Sequence, residues 1–152
     1  MRSLMIIISR AVLLSVLLTG CSTRGTTKEE EPGYKQISQE EAATMMEKED
    51  GHIILDVRRP DEYASGHIPG AICIPNETIT TQMLPQLPDS DQIILVYCRS
   101  GNRSKQASEK LAEAGYKNVY EFGGIIDWTG EIITGDDPGG NGISEEDVTE
   151  NN

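Results

Sequence analysis

The chain is poor in aromatic, histidine and basic residues. With one Trp and one Phe, any core must be built mainly from Val, Ile and Leu, which cluster in short runs mid-chain. The histidines His52 and His67 and the cysteines lack metal-ligand spacing, so we expect neither a metal nor another cofactor. The 13 Lys and Arg against 25 Asp and Glu give a net charge of −12, which excludes nucleic-acid binding through bulk electrostatics.

The sequence also lacks an apolar run long enough to cross a bilayer. Residues 1–10 contain two arginines and no acid, and an uncharged apolar run follows over residues 11–18. Arg10 interrupts the wider apolar stretch, which falls short of the roughly 20 residues that a spanning helix needs. Basic residues are followed by an apolar run and then by small residues. This order predicts an export signal over residues 1–20, in preference to a retained membrane anchor.

The segment Leu18-Thr19-Gly20-Cys21 resembles the bacterial lipobox, in which the cysteine receives a diacylglyceryl group. Two acyl chains hold a protein stably at a membrane, whereas one does not. The resemblance implies an exported protein, anchored at the outer face of a bacterial membrane through lipid on Cys21. An ordinary cleaved signal with an incidental cysteine is the alternative.

The length of 152 residues suits one domain with short appendages. Residues 21–33 carry almost no apolar side chains and are predicted to be a flexible tether from the lipid. Residues 136–152 hold six acids and no bases, which predicts a disordered acidic tail. The folded domain is therefore placed at residues 34–135.

Short apolar runs alternate with helical patterns across this domain. Ser38 followed by Glu41 fits the start of a helix that runs to about Lys48. Strands are predicted over residues 53–57, 71–74, 93–97 and 119–122, and helical segments over residues 60–65, 76–86 and 104–114. A short terminal turn is predicted over residues 125–128. Strands that alternate with helices predict an α/β domain with a central, mostly parallel sheet.

The most informative segment is the polar loop that follows the strand at residues 93–97. A loop that leads into a helix N-terminus can gather backbone N–H groups into an anion cradle. Cys98 stands at the mouth of this predicted cradle, where its thiolate would be favoured. Gly101 gives the backbone freedom to curl, and Arg99 and Arg103 supply charge for an anionic substrate. A cysteine that merely ends a core strand would explain Cys98 but not the loop behind it.

Three segments resemble the motifs of rhodanese-like domains. Asp56 to Ala71 is similar to their signature segment, Cys98 to Ser104 to their active-site loop, and Gly123 to Trp128 to their closing segment. The similarity covers about residues 34–135 in the order that the family has. It implies a three-layer α/β fold in which helices flank the sheet.

The resemblance implies a sulfurtransferase in which Cys98 carries sulfur as a persulfide. A thiosulfate- or persulfide-type donor would supply the sulfur, and cyanide, a thiol or an unidentified protein would accept it. The substrate-binding loop would consist of Arg99, Ser100, Gly101, Asn102, Arg103 and Ser104. The resemblance further implies that Asp56, Arg58 and Glu62 form a charge network that props this loop.

Two other functions stay open at this point. A sulfur carrier or binding module that docks to a partner, without turnover of its own, would use the same cysteine. Related phosphatases and arsenate reductases place an arginine where this chain has Ser104, which disfavours phosphate chemistry. Cys73 is predicted to be a buried thiol, with a Cys73–Cys98 disulfide as the less favoured alternative.

Overall fold

The computed structural model describes residues 33–138. The predicted signal, Cys21 and residues 22–32 of the tether lie outside this range, as does the tail beyond Pro138. The strands are β1 (Lys35–Gln36), β2 (Ile53–Asp56), β3 (Ala71–Cys73), β4 (Ile93–Cys98) and β5 (Asn118–Gly124), and the helices are α1 (Gln39–Met46), α2 (Pro60–Ser65) and α3 (Asn102–Glu113). Single 3-10 turns cover Asn76–Thr78 and Ile125–Asp127.

The five strands form one sheet in the order β1-β5-β4-β2-β3, and every pairing between neighbouring strands is parallel. β4 lies at the centre of the sheet. Its six residues are apolar at every position, as expected of a parallel strand covered on both faces. The predicted α/β class with a largely parallel sheet is confirmed.

Each face of the sheet carries its own core. On one face, alternate residues of β4 such as Val96 pack with Ala107 and Leu111 of α3. On the other face, the intervening residues such as Leu95 pack with Ala42 of α1 and with residues of α2. The alternation follows from the strand geometry, because successive side chains point to opposite faces. The result is the predicted three-layer arrangement.

The prediction of a helix over residues 76–86 is wrong. Only Asn76–Thr78 form a 3-10 turn, and the chain then runs irregularly to β4. Thr78, Ile79, Thr80 and Thr81 are β-branched, and branching at Cβ disfavours helical rotamers. The two-residue strand β1 was not predicted, since it is too short to show a periodicity.

The ends of α1 and α3 are marked by capping residues that can be recognised in the sequence. The Ser38 hydroxyl accepts a hydrogen bond of 3.1 Å from the Glu41 N–H and so caps α1. α3 begins at Asn102, which places Asn102 and Arg103 in its first turn and not in the preceding loop. It ends before Gly115, whose φ of 101° is the left-handed conformation typical of a residue that follows a helix.

The packed chain extends slightly beyond residue 135. The Gly70 N–H donates to the Pro138 carbonyl at 2.8 Å, and the His67 ring Nε2 lies 3.2 Å from the Asp137 carbonyl. Residues 136–138, predicted to begin the tail, are therefore bonded to the domain. Across residues 33–138, the structure contains no helix with the length and hydropathy to span a membrane.

Candidate active site

The candidate site lies where β4 ends and α3 begins. Cys98 is the last residue of β4, and Gly101, with φ of 97°, is the N-cap of α3. Only a residue that tolerates the left-handed region without strain suits this position. The 12-residue helix thus begins close to Cys98, and the N–H of its N-cap residue Gly101 donates to the Cys98 sulfur at the positive end of the helix dipole.

The loop stabilises a thiolate at Cys98. The Gly101 N–H donates to the Cys98 Sγ over 3.1 Å. Burial raises the pKa of the Cys98 thiol, but hydrogen bonds from the Ser104 hydroxyl and backbone outweigh that effect. The backbone N–H groups of Ser100 and Gly101 act in the same direction, so the pKa is lowered overall. A cysteine in this environment is a nucleophile.

The Arg103 guanidinium is paired with a carboxylate and is therefore not a free cation for a substrate. It forms two hydrogen bonds with the Glu62 carboxylate of α2, at 2.7 and 2.8 Å. This bidentate pair lowers the pKa of Glu62 to about 2 and ties α2 to the first turn of α3. Glu62 thus contacts the first turn of α3 through Arg103, and its role in supporting the loop stays a prediction.

Arg99 is the loop cation that is available to an anion. Its side chain is exposed, and no carboxylate within residues 33–138 pairs with it. Of the two arginines that were predicted to attract an anionic substrate, Arg99 is therefore the one with an unshared charge.

Asp56 and Arg58 form a buried pair that contacts the loop only indirectly. The Arg58 guanidinium donates to both oxygens of Asp56, at distances from 2.6 to 3.0 Å, and to the Gly66 carbonyl at 2.7 Å. Asp56 is paired in register with Tyr97, the residue before Cys98, whose pKa is raised by burial and, second, by the charge of Asp56. Their role in propping the loop would thus be exerted through Tyr97.

Glu121 is a buried residue of the site that was not predicted. It is 3% exposed and lies on β5 behind the loop. One carboxylate oxygen accepts from the Ser104 hydroxyl at 2.6 Å and from the Gly123 N–H at 2.9 Å. An acid inside the otherwise apolar strand Val119 to Phe122 was the available signal, because a carboxylate is seldom buried without a specific partner.

The closing segment is packed directly against the loop. The Ile126 N–H donates to the Arg99 carbonyl at 3.2 Å, and a Cβ on Gly124 would overlap Arg99 and Ser100. On its other side, the Gln39 side chain of α1 donates to the Gly124 carbonyl at 2.8 Å. The glycine is thus required by close approach of two backbones.

Cys73 is separate from this site. Both Cys73 and Cys98 are free, and they belong to the two cores on opposite faces of the sheet. Their strands β3 and β4 are separated by β2, and two strand spacings of about 4.8 Å exceed the reach of a disulfide. Burial raises the pKa of the Cys73 thiol to about 11. This geometry argues against the Cys73–Cys98 disulfide.

His67 has a structural environment. It is fully buried, its ring is stacked on Tyr63 at 3.7 Å, and its Nδ1 lies 3.0 Å from the Tyr63 carbonyl. Among residues 33–138 no group of side chains has the composition and geometry of a metal site.

Known proteins are similar to this chain in sequence and in fold. Residues 38–131 match the family model of the rhodanese-like domain. Thiosulfate sulfurtransferase PspE of Escherichia coli (strain K12) is 40% identical over 73 residues, 48% of this chain and 70% of the relative. Thiosulfate sulfurtransferase GlpE of Pseudoalteromonas translucida (strain TAC 125) is 35% identical over 96 residues, 62% of this chain and 89% of the relative.

Solved structures of rhodanese and rhodanese-related proteins have a fold similar to that of this chain. A structure described as a rhodanese with anions from E. coli superimposes with a TM-score of 0.52 and 35% identity, over 56% of this chain and 100% of that chain. A rhodanese-related protein from Thermoplasma volcanium has a TM-score of 0.56 and 28% identity, over 66% of this chain and 98% of its own. Because the family model matches well over half of the chain and the fold agrees, this chain belongs to the family of rhodanese-like domains.

Proposed function

We propose that this protein is a sulfurtransferase that moves a sulfane sulfur from a thiosulfate- or persulfide-type donor to a nucleophilic acceptor through a persulfide on Cys98. The observation that carries the proposal is the Cys98 thiol itself, whose pKa is lowered by hydrogen bonds from the loop that surrounds it. The names of the relatives, thiosulfate sulfurtransferases, support the same donor.

The proposed reaction has two half-reactions. The Cys98 thiolate attacks the outer sulfur of thiosulfate, the sulfur–sulfur bond of the donor breaks, and sulfite leaves with the electron pair. An acceptor such as cyanide or a thiolate then attacks the outer sulfur of the persulfide, and the Cys98 thiolate leaves. The loop N–H groups stabilise negative charge on sulfur in both steps. The exposed Arg99 guanidinium attracts the anionic donor.

Turnover separates this proposal from a carrier that needs a partner. We expect steady-state transfer from thiosulfate to cyanide, with parallel double-reciprocal lines as the two reactants are varied, because a covalent intermediate divides the reaction. The thiocyanate formed is measured. Lines that intersect would contradict the persulfide route. The absence of turnover would favour a carrier or binding module, and hydrolysis of a generic phosphoester would revive the phosphatase alternative.

We further propose that the domain is exported and held at the outer face of a bacterial membrane through lipid on Cys21. The support is the sequence of residues 1–33, most of which lies outside the described structure. When the full-length chain is produced in bacteria, we expect it in the membrane fraction with acyl chains on Cys21, as read by mass spectrometry. The Cys21→Ser variant should lack the acyl mass. A wild-type chain with an unmodified Cys21 would contradict the anchor.

A further inference from the structure

The ion pair of Glu62 and Arg103 lies between helix α2 and the helix that follows the Cys98 loop. The Arg103 guanidinium donates from two nitrogens to the two oxygens of Glu62, at 2.7 and 2.8 Å. The side chains of Arg103 and Glu62 are 26% and 19% exposed, so water screens their charges only in part. The hydrogen bonds from Arg103 lower the pKa of Glu62 to about 2, and the pair is therefore ionised at neutral pH.

Arg103 lies close to the reacting sulfur along the chain and in space. It is the second residue of α3 and follows the N-cap residue Gly101, whose N–H donates to the Cys98 Sγ at 3.1 Å. With a rise of about 1.5 Å per residue, its backbone lies within one helical turn of that contact. The pKa of Arg103 is raised chiefly by its hydrogen bonds with Glu62, and the charge of a Cys98 thiolate adds to the rise.

The cations around the site differ in whether an acid lies beside them. Arg99 is exposed and has no carboxylate partner among residues 33–138. The other cations lie near acids: Arg58 near Asp56, Arg59 near Asp61, and Lys105 near Glu121 and Asp127, with which it lines a cavity of about 410 Å³. An anionic donor therefore meets one uncompensated arginine, although two arginines belong to the loop and the first turn of α3.

We propose that Glu62 is a positioning residue that sets the charge preference of the site, because it holds Arg103 and cancels its charge. The electrostatic attraction of a donor grows with the charge of that donor. Cancelling one cation therefore costs a dianion such as thiosulfate more than it costs a donor with one negative charge. The favoured class is that of singly charged sulfane donors, such as a thiosulfonate or an organic persulfide.

This inference rests on the proposed function for its meaning in donor choice, since it concerns the same cysteine. With a thiosulfonate, the Cys98 thiolate attacks the outer sulfur, the sulfur–sulfur bond breaks, and a sulfinate leaves with the electron pair. The persulfide that results is the one formed from thiosulfate. Glu62 thus changes which donor reaches Cys98 and leaves the chemistry of the transfer unchanged.

The first measurement reports the charge around the sulfur without any sulfur donor. Iodoacetate and iodoacetamide both alkylate a thiolate with loss of iodide, but only iodoacetate is an anion. A change in the pKa of the thiol affects both rates equally and cancels from their ratio. In the full-length chain with Cys21→Ser and Cys73→Ser, where Cys98 is the one thiol, we expect Glu62→Gln to raise the ratio of iodoacetate to iodoacetamide rates roughly threefold.

Three further variants separate cancellation of charge from other effects. Arg103→Gln should lower the ratio, because Glu62 is then uncompensated, and the double variant Glu62→Gln with Arg103→Gln should return it to the parent value. Glu113→Gln is the matched control. It removes the same charge from the last residue of α3, about 15 Å along the helix from Arg103, and should leave the ratio unchanged at about 0.1 M salt. Thermal unfolding of each variant checks the fold.

The second measurement compares two donors in turnover with cyanide. Thiosulfate and benzenethiosulfonate differ by one negative charge, so the ratio of their kcat/KM values should also rise roughly threefold in Glu62→Gln. An unchanged alkylation ratio in Glu62→Gln, a double variant that stays above the parent, or a donor ratio that does not rise would overturn the proposal. If the alkylation ratios change as expected but the parent transfers no sulfur from either donor, the proposed function fails and the cancellation of Arg103 by Glu62 is supported.

Discussion

The Cys98→Ser variant should lose all measurable transfer of sulfur from thiosulfate to cyanide, a reduction of at least about a thousandfold. A serine oxygen in the same place can accept the Gly101 N–H, but it cannot hold a sulfane sulfur as a persulfide. The buried position and loop contacts are shared by the two side chains, so the fold should persist. Circular dichroism and thiocyanate formation are measured on the same preparation.

Cys73→Ser is the matched control for this loss. Cys73 lies on the opposite face of the sheet, and among residues 33–138 its thiol donates to the Arg58 carbonyl, at 3.5 Å. We expect this variant to retain turnover close to the wild-type rate. Equal losses in the two variants would mean that Cys73 takes part in the chemistry, and activity retained by Cys98→Ser would remove the basis of the mechanism.

The largest effect on stability is expected from Arg58→Ala. Asp56 is fully buried, and Arg58 supplies the positive charge bonded to it. Truncation leaves a carboxylate without compensation in the core, which costs roughly 3 kcal/mol or more in the free energy of unfolding. Urea unfolding at neutral pH measures this loss, and a variant that does not fold at all is its extreme form.

Arg59→Ala provides the neighbouring control. Arg59 pairs with Asp61, but both side chains are largely exposed, at 63% and 67%. Solvent screens such a pair, so its removal should change the free energy of unfolding little. If Arg58→Ala were as mild as Arg59→Ala, the Asp56–Arg58 pair would not have the stabilising role that its burial implies.

The sequence predicted the parts of the fold that depend on short-range patterns. The apolar runs of β2, β4 and β5 identified buried strands, Ser38 marked the start of α1, and Gly115 marked the end of α3. These signals are local, because periodicity and capping depend on residues a few positions apart. The segment after Pro75 contained apolar residues without a cap or a clear period, and its predicted helix was wrong.

The candidate site was predictable only in part, because sequence signals are local and some of its contacts are not. Cys98 and its loop are contiguous in the chain, so their relation to α3 could be inferred from sequence. The contact of Ser104 with Glu121 joins residues 17 positions apart, and that of Arg103 with Glu62 joins residues 41 apart. Such contacts depend on the packing of whole elements, and no local pattern specifies them.

The most direct test of the account is the intact mass of the protein before and after incubation with thiosulfate. It uses the full-length chain with Cys21→Ser and Cys73→Ser, so that Cys98 is the one thiol. We expect the mass to increase by one sulfur atom, the increase to disappear after cyanide is added, and Cys98→Ser in the same background to show none. A thiol that iodoacetamide alkylates but that gains no sulfur would contradict thiosulfate as the donor and the Cys98 persulfide as its product.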